Sequence, residues 1–121
     1  FPSASWSINS KGRDALIKLA KVLEANTDVN ILIEGHTDNV PFKGSGQVKD
    51  NWDLSAMRAT AIVKIITDNS NIDPQRLIAA GRSEYVPVDK DNTPTARQKN
   101  RRTEIILTPK LDELFEMLEI K

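Results

Sequence analysis

The sequence predicts an α/β fold: a two-layer sandwich in which helices cover one face of a mixed sheet. Segments whose apolar residues recur at helical spacing alternate along the chain with short runs rich in β-branched residues. Clusters of Asn, Asp, Ser, Gly and Pro separate them. A helix that buries one stripe and a strand that buries one side satisfy each other when helices pack on a sheet.

Each element follows in order. A small strand is expected at the extreme N-terminus. Asn9 or Ser10 can cap a helix over about Ser10–Ala25, with Leu16, Leu19, Ala20 and Leu23 on one stripe, and Asn26-Thr27-Asp28 breaks it. Val29–Glu34 reads as a short buried strand. Residues 38–50 contain Pro41, Gly44, Ser45 and Gly46 and read as a loop. A second helix is expected over about Leu54–Asp68, with Leu54, Ala61, Ile62, Ile65 and Ile66 as its apolar stripe. After the Asp73-Pro74 turn, Arg76–Gly81 is a second strand. Pro94 suits the first turn of a short helix ending near Asn100, and Thr103–Thr108 alternates as a last strand. Leu111, Leu114, Phe115 and Leu118 then mark an amphipathic C-terminal helix. So short a helix is unstable alone in water, so it is expected to pack on the domain or on a second copy, giving a homodimer. The order is β-α-β-α-β-α-β-α, divided into a domain over 1–108 and the C-terminal helix over 109–121.

Composition narrows the function classes. A chain of 121 residues supports one domain with a real core. Seventeen basic and seventeen acidic residues cancel, whereas a nucleic-acid binder of this size shows a basic excess, so no nucleic acid is expected as partner. The longest apolar runs, such as Ile31-Leu32-Ile33, fall far short of the roughly 18 residues that span a membrane. With no signal-peptide pattern and a start at Phe1-Pro2, the chain reads as a trimmed fragment. The chain has no cysteine, so disulfides and thiolate metal sites are excluded.

Three segments carry the chemistry: Gly35-His36-Thr37-Asp38-Asn39-Val40-Pro41, Asn51-Trp52-Asp53-Leu54-Ser55-Ala56-Met57-Arg58-Ala59, and Asn100-Arg101-Arg102-Thr103-Glu104-Ile105. Asp38 falls just past a strand, and Arg58 in the first turn or two of the following helix, where α/β proteins place ligand sites. Unpaired N–H groups at a helix start suit a carboxylate, and Arg58 adds a planar fork that takes one bidentately. With Asp38 as the opposite charge, the pair could receive a zwitterion. The alternative is a plain Asp38–Arg58 surface ion pair, worth about 0–1 kcal/mol. Arg101 and Arg102 point to opposite faces if the strand has begun, so one could reach the site while the other pairs at the surface. His36, the single histidine, stands two residues from Asp38, which does not supply the converging ligands zinc requires. A structural histidine is therefore expected, with no metal and no cofactor. No Gly-x-Ser-x-Gly nucleophile motif or phosphate loop occurs either, so no catalytic residue is assigned.

In this order and spacing the three segments closely resemble the peptidoglycan-binding domain shared by OmpA-like proteins and motor proteins of the MotB type. Phe1-Pro2-Ser3-Ala4-Ser5 and Gly81-Arg82-Ser83-Glu84-Tyr85-Val86-Pro87 extend the likeness over roughly residues 1–108, and the opening looks motor-like. The resemblance implies an OmpA C-terminal-like fold and a periplasmic domain that anchors an envelope protein, membrane-attached outside this fragment, to peptidoglycan without catalysis. Asp38 and Arg58 fall on the family's diaminopimelate-binding acid and arginine. Asn51 falls on the asparagine before the family's Leu-Ser-x-x-Arg-Ala run, where it bonds ligand or holds the turn. Thr37 offers a hydroxyl or backbone contact, and Leu54 packs under the site. Trp52 lies against a sugar ring or stem peptide, or is half-buried packing. Arg101 and Arg102 form or border the binding surface. Substituting Arg58 or Asp38 is expected to weaken wall binding with the fold intact. Arg82-Ser83 replaces an aromatic-glycine pair of the relatives, and the helix past Pro109 adds to the pattern. A stator arm of a flagellar-type motor and a peptidoglycan hydrolase are the competing readings; the hydrolase lacks a metal set, an activated nucleophile and a carboxylate pair.

Overall fold

Asn9 starts the first helix, its side-chain oxygen accepting from the Gly12 N–H at 2.7 Å. The computed structural model describes residues 1–44 and 46–109. Within them the elements are α1 (Ser10–Ala25), β1 (Val29–Gly35), α2 (Asn51–Asp68), β2 (Leu77–Gly81), α3 (Pro94–Asn100) and β3 (Thr103–Pro109), with a 3₁₀ turn over Pro74–Arg76 before β2. The expected C-terminal helix lies, beyond Pro109, outside the described residues. No helix among the described residues is long and apolar enough to cross a membrane.

The sheet is mixed, in the order β2-β1-β3, with β1 parallel to β2 and antiparallel to β3. Burial alternates along β1: Ile31, Ile33 and Gly35 are buried toward the helices, while Asn30, Leu32 and Glu34 take the other face. Ile31 and Ile33 join Ala20 and Leu23 of α1, Ala59, Ile62 and Ile66 of α2, and Ile72 in one core. The two layers are those the sequence predicts.

Two expectations need correction. Residues 1–9 form no strand. Their backbone groups bond arginine side chains and loop carbonyls instead: Pro2 and Ser5 accept from Arg58, and Phe1 exchanges bonds with Arg101. Helix α2 begins at Asn51, three residues before Leu54, because the Asp50 side chain caps it by accepting from the Asp53 N–H at 2.9 Å. Its buried stripe also includes Ser55, Arg58 and Ala59.

Arg76 shows the same use of arginine. It is buried, and its guanidinium donates to Val29 O at 2.9 Å, Leu23 O at 3.0 Å and Asn26 O at 2.5 Å, closing the end of α1. Gly35 and Gly81 are register partners in β1 and β2 and let α2 lie directly on the sheet. A Cβ on Gly35 would overlap the Ser55 carbonyl oxygen, and one on Gly81 would fall 2.5 Å from Ser55 Oγ. That close approach brings the Arg58 side chain to the end of β1.

Candidate functional site

The chain leaving β1 is held from both sides. The His36 N–H donates to Arg102 O at 2.8 Å, the Thr37 N–H to Ser83 O at 2.9 Å, and the Arg82 N–H to Gly35 O at 3.0 Å. Thr37 is buried and turns its hydroxyl to its neighbour's carbonyl, Asp38 O, at 2.9 Å. Asp38 therefore arrives on fixed backbone. Its Oδ1 accepts from the Val40 N–H at 3.0 Å, an Asx turn, and its Oδ2 accepts from Arg101 at 2.9 Å.

Arg58 is fully buried, at 0% exposure. Its guanidinium donates to Ser5 O at 2.7 Å, His36 O at 2.8 Å and Pro2 O at 3.1 Å, and stands 5.0 Å from the centre of the Phe1 ring. Burial pushes its pKa down to about 10; the Asp38 charge works against that shift and Arg101 adds to it. It stays charged at neutral pH. The three bonds use three of the five N–H donors.

The surface ion pair between Asp38 and Arg58 is not what the structure holds. Both residues are buried, and the direct partner of Asp38 is Arg101. Because α2 starts at Asn51, Arg58 lies in its third turn, away from the helix start, where the Asp50 cap already takes an N–H. Asn51, at the start of α2, nevertheless lines the same pocket as Arg58.

Asp38, Asn51, Leu54 and Arg58 line one pocket of about 290 Å³ with Ser3, Ala4 and the loop Val40–Gly44. Asn51 donates through Nδ2 to Val40 O at 3.2 Å, while its buried Oδ1 has no partner among the described residues. An orphaned buried acceptor is costly unless something completes it. Leu54 gives the pocket an apolar wall, and Lys43 adds a cation to the lining. A larger groove of about 860 Å³ opens between α1 and the N-terminal segment, but it is mostly apolar; Arg101 is its one charged side chain among the described residues. The smaller pocket is the one that brings Asp38, Asn51 and Arg58 together.

The remaining residues singled out in the sequence lie elsewhere. Arg101 caps α3 and reaches the pocket through Asp38. Arg102 donates to Val86 O at 2.9 Å and stands 3.4 Å from Glu104, so of the two arginines only Arg101 pairs with Asp38. Trp52 is 52% exposed and lies 5.6 Å from the Tyr85 ring, an aromatic pair on the surface rather than a packed core residue. Asn100 is structural: it bonds Val88, Asp89 and the Asp89 carbonyl. The sequence reading assigned no chemistry to Ser3, Ala4, Val40, Phe42 or Lys43, which are contributed by segments without regular structure. Their signal was present only as the Phe-Pro-Ser-Ala-Ser and Asn-Val-Pro stretches.

His36 is 1% exposed, and its Nε2 stands 3.4 Å from both Glu34 Oε1 and Glu104 Oε2. Burial pushes its pKa below 6.5, Arg102 adds to that, and the two glutamates oppose it. The ring is neutral at neutral pH.

Comparison with known proteins follows the same lines. The OmpA family profile matches residues 1–101. Motility protein B of Bacillus subtilis is 36% identical over 110 residues, which cover 91% of this chain and 42% of that protein. The peptidoglycan-associated lipoprotein of Buchnera aphidicola is 32% identical over 106 residues, covering 88% and 58%. The chain thus spans about half the length of these relatives. Among solved structures, the C-terminal domain of Helicobacter pylori MotB superposes with a TM-score of 0.82 at 23% identity, covering 99% of this chain and 90% of that one, a likeness of fold.

Proposed function

Since the chain belongs to the OmpA family, we propose that it is a non-catalytic peptidoglycan-binding module of the periplasm, which takes the free zwitterionic end of a diaminopimelate stem peptide between Asp38 and Arg58. The observation that carries this reading is the pocket's paired and incomplete polarity. A carboxylate with two lone-pair positions in use and a buried guanidinium with three of its five N–H donors engaged line one pocket with Asn51, whose buried Oδ1 has no partner among the described residues. The ligand's ammonium goes to Asp38 and Asn51, and its carboxylate to Arg58. Leu54 lies along the methylene chain. Arg101 orients Asp38, and Thr37 fixes its backbone. The exposed Trp52–Tyr85 pair suits the face of a sugar ring, and Arg102 borders the strand end. The name of one relative, a peptidoglycan-associated lipoprotein, supports the same partner.

The likeness to a motility protein supports a more specific reading, in which this module is the wall anchor of a motor stator. The full-length sequence separates the two: a transmembrane helix with an embedded acid favours the stator, and a lipid-attachment cysteine or β-barrel favours a passive tether. Incubation with purified sacculi, followed by sedimentation and mass spectrometry of the muropeptides, tests binding against hydrolysis. The module is expected to sediment with the wall and to leave the muropeptide profile unchanged. New cleavage products would favour the hydrolase, and failure to sediment would remove the wall from the account.

A further inference from the structure

We propose that Glu34, His36 and Glu104 form a divalent-cation site of the zinc class on the sheet face turned away from α1 and α2; this does not rest on the wall-binding reading. Glu34 and Glu104 are directly opposed across the β1–β3 ladder. Like charges so placed repel unless they are countered, here from the outer side by Arg82 and Arg102. His36 follows Glu34 by two residues. It is almost wholly buried, and neither ring nitrogen has a hydrogen-bond partner among the described residues. Its Nε2 is aimed between the two carboxylates, at the long edge of hydrogen-bond range from each.

The distances fit an ion better than a proton. Nε2 lies 3.4 Å from Glu34 Oε1 and 3.4 Å from Glu104 Oε2. A tetrahedral ion with bonds of about 2.0–2.1 Å sets its ligands about 3.3–3.4 Å apart. All three ligand atoms fall within 4.8 Å of one another, so a modest turn of one carboxylate closes the set. Each glutamate divides its oxygens the same way. The inner oxygen faces His36, while the outer one faces an arginine: Arg82 at 3.6 Å from Glu34 Oε2, and Arg102 at 3.4 Å from Glu104 Oε1. Such outer partners hold ligating carboxylates in place. A neutral imidazole with two carboxylates is a borderline donor set, suited to zinc ahead of magnesium or calcium. The Glu104 side chain is 43% exposed, so the fourth position opens to water. An ion there would bridge the inner oxygens of the opposed glutamates and tie β1 to β3 beside Arg101 and Arg102.

Calorimetric titration of the chelator-stripped 121-residue chain with Zn²⁺ alone tests the site, with Mg²⁺ as control and Co²⁺ for its visible spectrum. One saturable equivalent of Zn²⁺, a raised melting temperature and the intense Co²⁺ bands of a four-coordinate site are expected. Glu104→Gln keeps the shape of a half-exposed side chain and should weaken Zn²⁺ binding at least about tenfold, the lower bound of what even outer partners of metal ligands contribute. His36→Gln should remove the four-coordinate Co²⁺ spectrum; if it does not fold, Glu104→Gln decides. Absence of saturable Zn²⁺ binding by the unaltered chain, or unchanged affinity in Glu104→Gln, overturns the proposal.

Discussion

Arg58→Ala is expected to lower the stability of the domain by about 3–5 kcal/mol, because removing one partner of a buried charged network leaves the others unsatisfied. Pro2 O, Ser5 O and His36 O would each lose their donor, and the Phe1 ring its cation. The N-terminal segment has no strand partner, so it would be held chiefly by the Phe1–Arg101 bonds and the packing of Phe1 and Ile8 on the core. Against a typical total of about 5–15 kcal/mol, such a loss leaves a marginal protein. This revises the expectation from the sequence that Arg58 could be removed with the fold intact. Arg58→Lys should recover only part of the loss, since an ammonium cannot address three carbonyls from one planar fork. Urea denaturation gives the check, and an Arg58→Ala midpoint equal to that of the unaltered chain would show that the guanidinium bonds contribute nothing net.

Gly35→Ala is the second large effect. The added Cβ meets the backbone carbonyl of Ser55, which cannot rotate away as a side chain could. Relief requires α2 to lift from β1, and overpacking of this kind costs about 1–3 kcal/mol, occasionally more. The same shift would draw Arg58 off His36 O and distort the pocket. Thermal unfolding and sacculus binding should therefore fall together. A variant with unaltered melting and binding would mean that the sheet accommodates the methyl elsewhere.

What the sequence made legible, and what it did not, follows from the range of the forces involved. Helices α1 and α3 have the predicted bounds because their signals are local: Asn9 caps the one, and Thr93 with Pro94 starts the other. The start of α2 lay hidden because Asn51-Trp52-Asp53 is polar and reads as loop until Asp50 is seen capping it. The N-terminal segment was misread because its carbonyls are bonded by side chains more than fifty residues away, which no local pattern records. Asp38 and Arg58 were legible as a pair of opposite charges near a strand end. That Arg101 is the direct partner of Asp38, that Arg58 bonds backbone, and that Asn51 keeps a bare acceptor all depend on tertiary placement. His36 shows the limit most clearly. Weighed against Asp38, its neighbour in sequence, it offered no ligand set; Glu104 reaches it only across the β1–β3 register.

The claim that the Asp38 pocket holds the wall's zwitterionic stem end is tested most directly by Asp38→Asn. This change removes one charge, keeps the side chain's size, and leaves an oxygen to accept from Val40, while the bond from Arg101 to the second oxygen is lost. It also spares the buried Arg58 bonds, so a folded variant is obtainable, to be verified by its melting curve. Binding to diaminopimelate-type sacculi, measured by cosedimentation, should weaken by about 2–5 kcal/mol, or at least about thirtyfold. Free diaminopimelate should compete with sacculi for the unaltered chain. An Asp38→Asn variant that melts like the unaltered chain yet sediments equally well, with no competition by the free amino acid, would contradict the assignment.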